Sequence, residues 1–193
     1  MVVSMNSMAT SGGYYIATPA DHIYANHSTI TGSIGVIMNF TKYDELADKI
    51  GYSQVNIKSG EHKDMASPLK EVTPEEKEIY QSVVDDSYEK FLEVIVNGRD
   101  MDRERVQNLA DGRIYSGYEA KELGLIDKLG SLEDATDYIK KSLNQPNLKV
   151  VRVTPKNSIM DSFSPNIQSN LIKDIENIIG INNQARLMYI FDQ

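Results

Sequence analysis

Short apolar runs separated by Gly, Pro, Asn and Thr fill the first sixty residues, and they constrain the fold more than any other feature of the sequence. Runs of this length bounded by turn-forming residues are typical of strands. The sequence predicts strands at Val2–Met5, His22–Ala25, Ser33–Met38 and Gln54–Ile57, with short helices between them at Gly13–Thr18 and Lys42–Ile50. Strands that alternate with helices indicate an α/β fold with a largely parallel sheet.

A long helix with one apolar face is predicted from Thr73 onward. Thr73, Pro74 and Glu76 have the pattern of a capping box with proline at the first helical position. Apolar residues then recur at helical spacing, at Tyr80, Val84, Tyr88, Phe91 and Ile95. Asn97-Gly98 is expected to end this helix. The sequence further predicts helices at Arg103–Ala110 and from Ser131 to about Leu143, and a strand at Leu148–Val153.

The chain is expected to divide into residues 1–155, which form one domain, and residues 156–193, a C-terminal helix and apolar tail. The helix carries a narrow stripe at Ile167, Leu171, Ile175 and Ile178. It packs either on its own domain or, as an oligomerisation arm, on a neighbouring subunit. The opening residues Met1–Met5 resemble a strand in mid-course, which predicts that residues are missing upstream; the alternative is a natural start with an edge strand.

The composition argues against several classes of function. Lys and Arg number 20 against 28 Asp and Glu, a net charge of −8, and no basic run is present, so nucleic acid is not an expected partner. The chain has no Cys, which excludes disulfides, thiolate metal sites and cysteine nucleophiles. No apolar run approaches the roughly 18 residues of a membrane span.

The strongest local signal is the string M-A-T-S-G-G-Y-Y-I, in which Ser11 precedes Gly12 and Gly13 between a strand and a helix. A nucleophilic serine at a helix N-terminus has its developing negative charge near the positive end of the helix dipole. Glycines allow a substrate carbonyl to approach the backbone closely, and the N–H of Gly12 could donate to an oxyanion. The alternative is a plain glycine-rich turn capped by serine.

A serine nucleophile needs a base, and the histidines are poor candidates for it. His22 and His27 flank a short strand five residues apart, so they lie on opposite faces. Neither has the H-E-x-x-H spacing of a helical zinc site. Together with His62 they are expected to be ordinary surface or partly buried histidines, and no metal or cofactor is expected.

Two lysines follow an apolar run in the string I-K-S-G-E-H-K-D, Lys58 and Lys63. A lysine can act as the base if its amine is neutral. Its reference pKa of about 10.4 would have to fall to about 7–8, a change of roughly 4 kcal/mol. Burial beside apolar or cationic groups achieves such a shift. Either lysine can equally be a solvated charge.

Four strings occur in order along the chain: M-A-T-S-G-G-Y-Y-I-A-T-P-A-D, T-I-T-G-S-I-G-V-I, I-K-S-G-E-H-K-D, and D-G-R-I-Y-S-G-Y-E-A-K-E-L-G-L-I-D-K-L-G. From Ser4 to about Tyr138 the sequence closely resembles the signal peptide peptidase A (protease IV) family. The resemblance implies a ClpP/crotonase-like fold of ββα units, here truncated at its N-terminus. It is weak beyond Val153. Thr10 stands where alanine is usual in the family.

The resemblance also implies the site. It assigns the nucleophile to Ser11, the general base to Lys63 rather than Lys58, the hydrogen bond that orients the lysine amine to Ser33, and an oxyanion N–H to Gly12. It implies a homo-oligomeric serine endopeptidase that needs no cofactor and degrades small or apolar peptides such as cleaved signal peptides. Members carry an N-terminal membrane anchor and a glycine-rich segment that supplies a second oxyanion donor, neither of which is in this sequence. The resemblance therefore places the catalytic domain at the cell membrane, outside the cytoplasm.

Two alternatives come from other classes of function. A crotonase-like acyl-CoA enzyme shares the implied fold, but it would use backbone N–H groups and a carboxylate and would not need Lys63. A non-catalytic assembly subunit of the same fold would use the Ser11 region only for packing. Trapping with a reagent that acylates serine distinguishes a serine peptidase from both of these alternatives.

Overall fold

The computed structural model describes residues 1–153 in two compact units. The first comprises residues 1–38 and 77–148, and the second comprises residues 39–76 and 149–153. The predicted C-terminal helix at 167–178 and the apolar tail at 187–191 lie outside the described residues. Within residues 1–153, every helix is too short or too polar to traverse a bilayer.

Among these residues, six strands form two three-stranded sheets in the first unit. The strands are β1 (Val2–Met5), β2 (Met8–Thr10), β3 (His22–Ala25), β4 (Ile30–Gly32), β5 (Ile114–Ser116) and β6 (Lys128–Leu129). In one sheet β3 lies between β1 and β6, and all pairs are parallel. In the other, β4 pairs in parallel with β2 and antiparallel with β5. The largely parallel pairing among intervening helices confirms the α/β class.

The helices that the structure describes are α1 (Gly12–Ala17), α2 (Asp44–Lys49), α3 (Pro74–Arg99), α4 (Arg103–Leu109), α5 (Gly117–Leu123) and α6 (Leu132–Ser142), with a 3-10 helix at Glu61–Asp64. The capping box predicted for α3 is confirmed. The N–H of Thr73 donates to Glu76 Oε2 at 3.0 Å, and the N–H of Glu76 donates to Thr73 Oγ1 at 3.2 Å. Helix α6 begins after Ser131 as predicted, and the structure shows a second capping box there, between Ser131 and Asp134.

The core of the first unit lies where α3 packs against α1 and the strands. The apolar face predicted for α3 is confirmed at Phe91 and Ile95, which are fully buried. Phe91 packs edge-on against Tyr15, with ring centroids 5.2 Å apart. The buried Tyr14 hydroxyl donates to the carbonyl of Leu125 at 2.8 Å, and burial raises the pKa of Tyr14. This packing fixes α1, and so the turn that precedes it.

The predicted end of α3 at Asn97-Gly98 is wrong, because the helix continues to Arg99. Gly98 is required for close packing instead. A Cβ at Gly98 would lie 2.6 Å from the carbonyl oxygen of Thr18, at the C-terminus of α1.

Three of the predicted strands are not strands in the structure: Ser33–Met38, Gln54–Ile57 and Leu148–Val153. Val55 and Ile57 are almost fully exposed. An apolar run becomes a strand only where a neighbouring strand supplies a ladder of hydrogen bonds. No strand of residues 1–153 pairs with Gln54–Ile57 or with Leu148–Val153. The first prediction was displaced by a few residues, because the strand is β4 and Ser33 follows it.

Candidate active site

Ser11 occupies a strained turn between β2 and α1. Its backbone has φ 49° and ψ −113°, a region that residues other than glycine rarely adopt. Hydrogen bonds fix the turn on both sides: the Ser11 N–H donates to the carbonyl of Gly32 at 2.8 Å, and the Tyr15 N–H donates to the Ser11 carbonyl at 2.8 Å. The residue is buried, with 4% of its surface exposed. Strain of this kind costs about 1–3 kcal/mol and is often found at functional sites.

The Ser11 side chain does not serve the helix that it precedes. Ser11 is the N-cap residue of α1, yet its hydroxyl makes no capping hydrogen bond. It lines a cavity of about 440 Å³ instead. The first N–H groups of a helix have no acceptor within the helix, and Gly12 supplies the first of them. The turn therefore combines a hydroxyl with a backbone donor, two of the groups that acyl transfer to a serine requires.

Ser33 lines the same cavity from the end of β4. Thr10 of β2 pairs with Gly32 of β4. Ser11 directly follows Thr10, and Ser33 directly follows Gly32. Ser33 has φ 50°, and its N–H donates to the carbonyl of Arg113 at 2.8 Å. The parallel pairing of β2 and β4 therefore brings together the predicted residues Ser11, Gly12 and Ser33.

The rest of the cavity wall is mainly small or apolar. Its other residues are Gly35, Val36, Ile37, Tyr88, Ala110, Asp111 and Gly112. The Tyr88 hydroxyl donates to the carbonyl of Ala110 at 2.7 Å, which holds α3 to this wall. Burial raises the pKa of Tyr88. Sequence reasoning did not select this wall, although the string D-G-R-I-Y-S-G that contains part of it was noted.

Among residues 1–153, Asp111 is the one carboxylate that lines this cavity. Arg113 Nε donates to its two carboxylate oxygens at 2.8 and 2.9 Å. Hydrogen bonds from the Arg113 side chain and backbone lower the pKa of Asp111 to about 2. Asp111 is therefore ionised at neutral pH and is a weak base.

Lys63 lies in the second unit, on the 3-10 helix Glu61–Asp64, and is exposed. The two lysines that sequence reasoning left open have different surroundings there. Lys58 Nζ donates to Asp64 Oδ1 at 2.8 Å and to the carbonyl of Glu61 at 2.7 Å. Within the described residues of the same unit, Lys63 forms no ion pair. Lys58 is committed to a structural ion pair, whereas Lys63 is not.

None of the three histidines is among the described residues that line the cavity. His22 packs edge-on against Tyr138, with ring centroids 4.5 Å apart, and His27 stacks on Tyr118. His62 lies in the second unit, 3.7 Å from Glu75. Residues 1–153 contain no cluster of three side chains suited to hold a metal ion.

The fold and the site define an α/β protein with a serine held at a strained strand-to-helix turn beside a small cavity. Residues 1–145 match peptidase family S49, and the chain belongs to this family.

Individual relatives agree with this assignment. The chain is 46% identical over 138 residues to a Synechocystis protein named as a protease, a match that covers 72% of this chain and 50% of that protein. It is 43% identical over 148 residues to an Enterococcus faecium protein named as a signal peptide peptidase SppA, which covers 77% and 43%. It is 35% identical over 147 residues to Protease 4 of Haemophilus influenzae, which covers 75% and 23%. The chain thus spans about half, or less, of the length of these curated relatives.

Proposed function

We propose that residues 1–155 are the C-terminal part of the catalytic domain of a serine endopeptidase with a Ser/Lys dyad and the ClpP/crotonase fold. The observation that carries the proposal is the Ser11 turn. It holds a buried hydroxyl in a strained conformation, leaves it out of helix capping and directs it to a cavity. A serine that served only as a helix cap would use its side chain oxygen for that purpose.

The proposed mechanism gives each of these residues one role. Ser11 Oγ attacks the scissile carbonyl while the neutral amine of Lys63 takes the hydroxyl proton, and the Gly12 N–H donates to the oxyanion. The Lys63 ammonium then returns the proton to the leaving amine. In the second half, Lys63 takes a proton from water, which hydrolyses the acyl-enzyme. The Ser33 hydroxyl accepts a hydrogen bond that orients the lysine amine.

The cavity supports small or apolar peptides as substrates. Its volume is about 440 Å³, and Gly35, Ala110 and Gly112 keep its wall close to the backbone. A wall built from such small residues leaves room for a small apolar side chain next to the cleaved bond. Cleaved signal peptides fit this description, and the name of the Enterococcus relative points to the same class. We place the activity at the cell membrane, outside the cytoplasm.

The acyl-CoA alternative receives less support from the cavity. That chemistry needs a carboxylate base, and Asp111 is the candidate that the cavity offers. Its ion pair with Arg113 lowers its pKa to about 2, whereas an efficient base has a pKa near the working pH. If Asp111 were the general base, Asp111→Asn would lower activity about 10²–10⁴-fold. In the proposed mechanism Lys63 is the base, so Asp111→Asn is expected to keep peptidase activity within about tenfold of wild type.

The test uses the full-length protein, a fluorogenic peptide with small apolar residues before the cleaved bond, and a fluorophosphonate that phosphonylates a nucleophilic serine with loss of fluoride. Ser11→Ala and Lys63→Ala are each expected to abolish hydrolysis and labelling while the fold is preserved. The double variant should be no worse than either single variant, because the dyad acts as a unit. Lys58→Ala is the matched control and should stay within about tenfold of wild type. Near-normal activity of Lys63→Ala would refute the dyad.

A further inference from the structure

Two lysines hold the carboxylate that directly follows Lys63. Asp64 is the last residue of the 3-10 helix, and its Oδ1 accepts hydrogen bonds from Lys58 Nζ at 2.8 Å and from Lys70 Nζ at 2.9 Å. Lys58 also donates to the carbonyl of Glu61, the first residue of that helix. The one turn that carries Lys63 is therefore fixed at both of its ends.

The network continues into the start of α3. Lys70 Nζ donates to Glu76 Oε1 at 2.6 Å, and Glu76 is a capping-box residue with 3% of its surface exposed. The hydrogen bonds to Glu76 and Asp64 raise the pKa of Lys70, so Lys70 stays charged. The turn that carries Lys63 is thus tied to the N-terminus of a 26-residue helix.

A carboxylate beside a lysine base works against catalysis. It attracts the amine, favours the ammonium form and so removes the base from use. At Asp64, hydrogen bonds from Lys58 and then Lys70 hold the pKa far below its ordinary value. The carboxylate is therefore ionised at every working pH, and its charge is balanced by two cations other than Lys63.

We infer that Lys58 and Lys70 are positioning residues for Lys63: they bind the Asp64 carboxylate, fix the turn that carries the base and keep an anionic partner away from its amine. This inference rests on the proposed role of Lys63 as the general base. Neither lysine touches the substrate in this scheme, and both act through Asp64.

Other charged groups surround the turn within the second unit. They are Glu61 and His62 on the turn itself and Glu75 and Glu76 at the start of α3, which line one pocket with Lys58 and Lys70. Glu76 is bound to Lys70, and His62 lies 3.7 Å from Glu75. Changing one charge on Asp64 or Lys58 leaves all of these groups in place, so the effect on Lys63 can be assigned to the network.

The experiment compares pH profiles of kcat/KM for Lys58→Met and Asp64→Asn in the full-length protein. Activity rises with pH as Lys63 loses its proton. Lys58→Met removes a cation and leaves Asp64 less neutralised, so the rising limb should shift to higher pH by about 0.5–1 unit. Asp64→Asn removes the anion and leaves two cations, so the limb should shift to lower pH by about 0.5–1 unit. The double variant Lys58→Met/Asp64→Asn should return close to the wild-type profile.

The pH profiles of Lys58→Met and Asp64→Asn are expected to shift in opposite directions, which distinguishes this role from simple support of the fold. A loosened turn would lower the rate in both variants without shifting the two profiles in opposite directions. Lys42→Met is the matched control, because Lys42 pairs with Asp44 at 3.1 Å in the same unit and not with Asp64; its profile should not move. Circular dichroism verifies that each variant is folded. NMR of isotope-labelled lysine reads the pKa of Lys63 independently of catalysis and should show the same shifts.

Two results would overturn the inference: folded variants whose profiles coincide with that of wild type, or shifts of the same sign in both. The proposed function fails by a different result, which is retained activity in Lys63→Ala. An inactive Lys63→Ala with unmoved profiles in the other variants would refute the network and preserve the dyad.

Discussion

The N–H of Ser11 donates a 2.8 Å hydrogen bond to the carbonyl of Gly32, the residue that immediately precedes Ser33. Ser11 and Ser33 both have a positive φ, of 49° and 50°. They directly follow Thr10 and Gly32, the residues that pair β2 with β4. Two serines 22 positions apart in the sequence are thereby set on one cavity. The register of β2 and β4 determines this arrangement, so the first prediction concerns that register.

Gly32→Ala is expected to disrupt the site. A Cβ there would lie 2.5 Å from Tyr115 Cδ2, and Gly32 has φ +78°. The positive φ costs about 1 kcal/mol and the overlap about 1–3 kcal/mol more. Urea unfolding should show a loss of about 2–4 kcal/mol, and peptidase activity should fall with it. Gly51→Ala is the control, because Gly51 has φ +70° with no atom within 4 Å of a Cβ; equal losses in the two variants would dismiss the overlap with Tyr115.

Ser33→Ala is expected to be a partial defect. It removes one hydrogen bond that orients the Lys63 amine, worth about 1 kcal/mol and more in the transition state. We expect kcat/KM to fall roughly ten- to a thousandfold, without the complete loss expected for Ser11→Ala. Steady-state kinetics with the fluorogenic peptide measure it. A variant with wild-type kinetics would remove Ser33 from the site.

Arg99→Met is expected to destabilise the first unit. The Arg99 side chain is 7% exposed, and its Nη2 lies 2.8 Å from Asp127 Oδ1. Burial alone would raise the pKa of Asp127, but hydrogen bonds from Arg99 and from the Ile23 N–H hold it below its ordinary value. At pH 7 the loss of the cation should cost about 2 kcal/mol, less than for a fully buried pair because Asp127 is partly exposed.

The pH dependence gives the sign of this effect. A lowered pKa in the folded state stabilises the protein above the unfolded pKa of about 3.9, and the contribution is lost as pH falls through the folded value. The difference in the free energy of unfolding between wild type and Arg99→Met should therefore become smaller below about pH 4. Arg103→Met is the control, since its ion pair with Glu89 is exposed and should contribute less than about 1 kcal/mol. If this difference in the free energy of unfolding did not change with pH, the ion pair with Asp127 would be excluded as its cause.

Assembly of the dyad between subunits is expected from the exposure of Lys63. Its own turn has no buried residue and Lys63 is exposed, whereas a base with a lowered pKa needs desolvation or nearby cations. We propose that a neighbouring subunit of a homo-oligomer covers it, and that the Ser and Lys of one site come from different chains. Inactive Ser11→Ala and Lys63→Ala proteins, mixed so that subunits exchange, should then regain activity. A mixture that exchanges subunits and stays inactive would place the dyad within one chain.

The sequence by itself determined the features that depend on near neighbours along the chain. The capping box at Thr73, the start of α6 at Ser131, the apolar face of α3, and the strands β1 and β3 were all predicted, because a few adjacent residues specify each of them. The Ser11-Gly12-Gly13 turn was also marked, since the residue types themselves indicate its chemistry. The resemblance to a peptidase family rested on the same local strings.

Only the tertiary structure decided which of these local patterns were used. Gln54–Ile57 has the same strand pattern as β1 but stays exposed, because no strand that the structure describes pairs with it. Gly98 looked like a helix end and is instead a contact with the Thr18 carbonyl. Lys58 and Lys63 could not be told apart by local chemistry; the structure commits Lys58 to Asp64 and leaves Lys63 outside that network. Strand pairing, close packing and ion pairing join residues distant in sequence, and so they are set by the folded chain rather than by any local pattern.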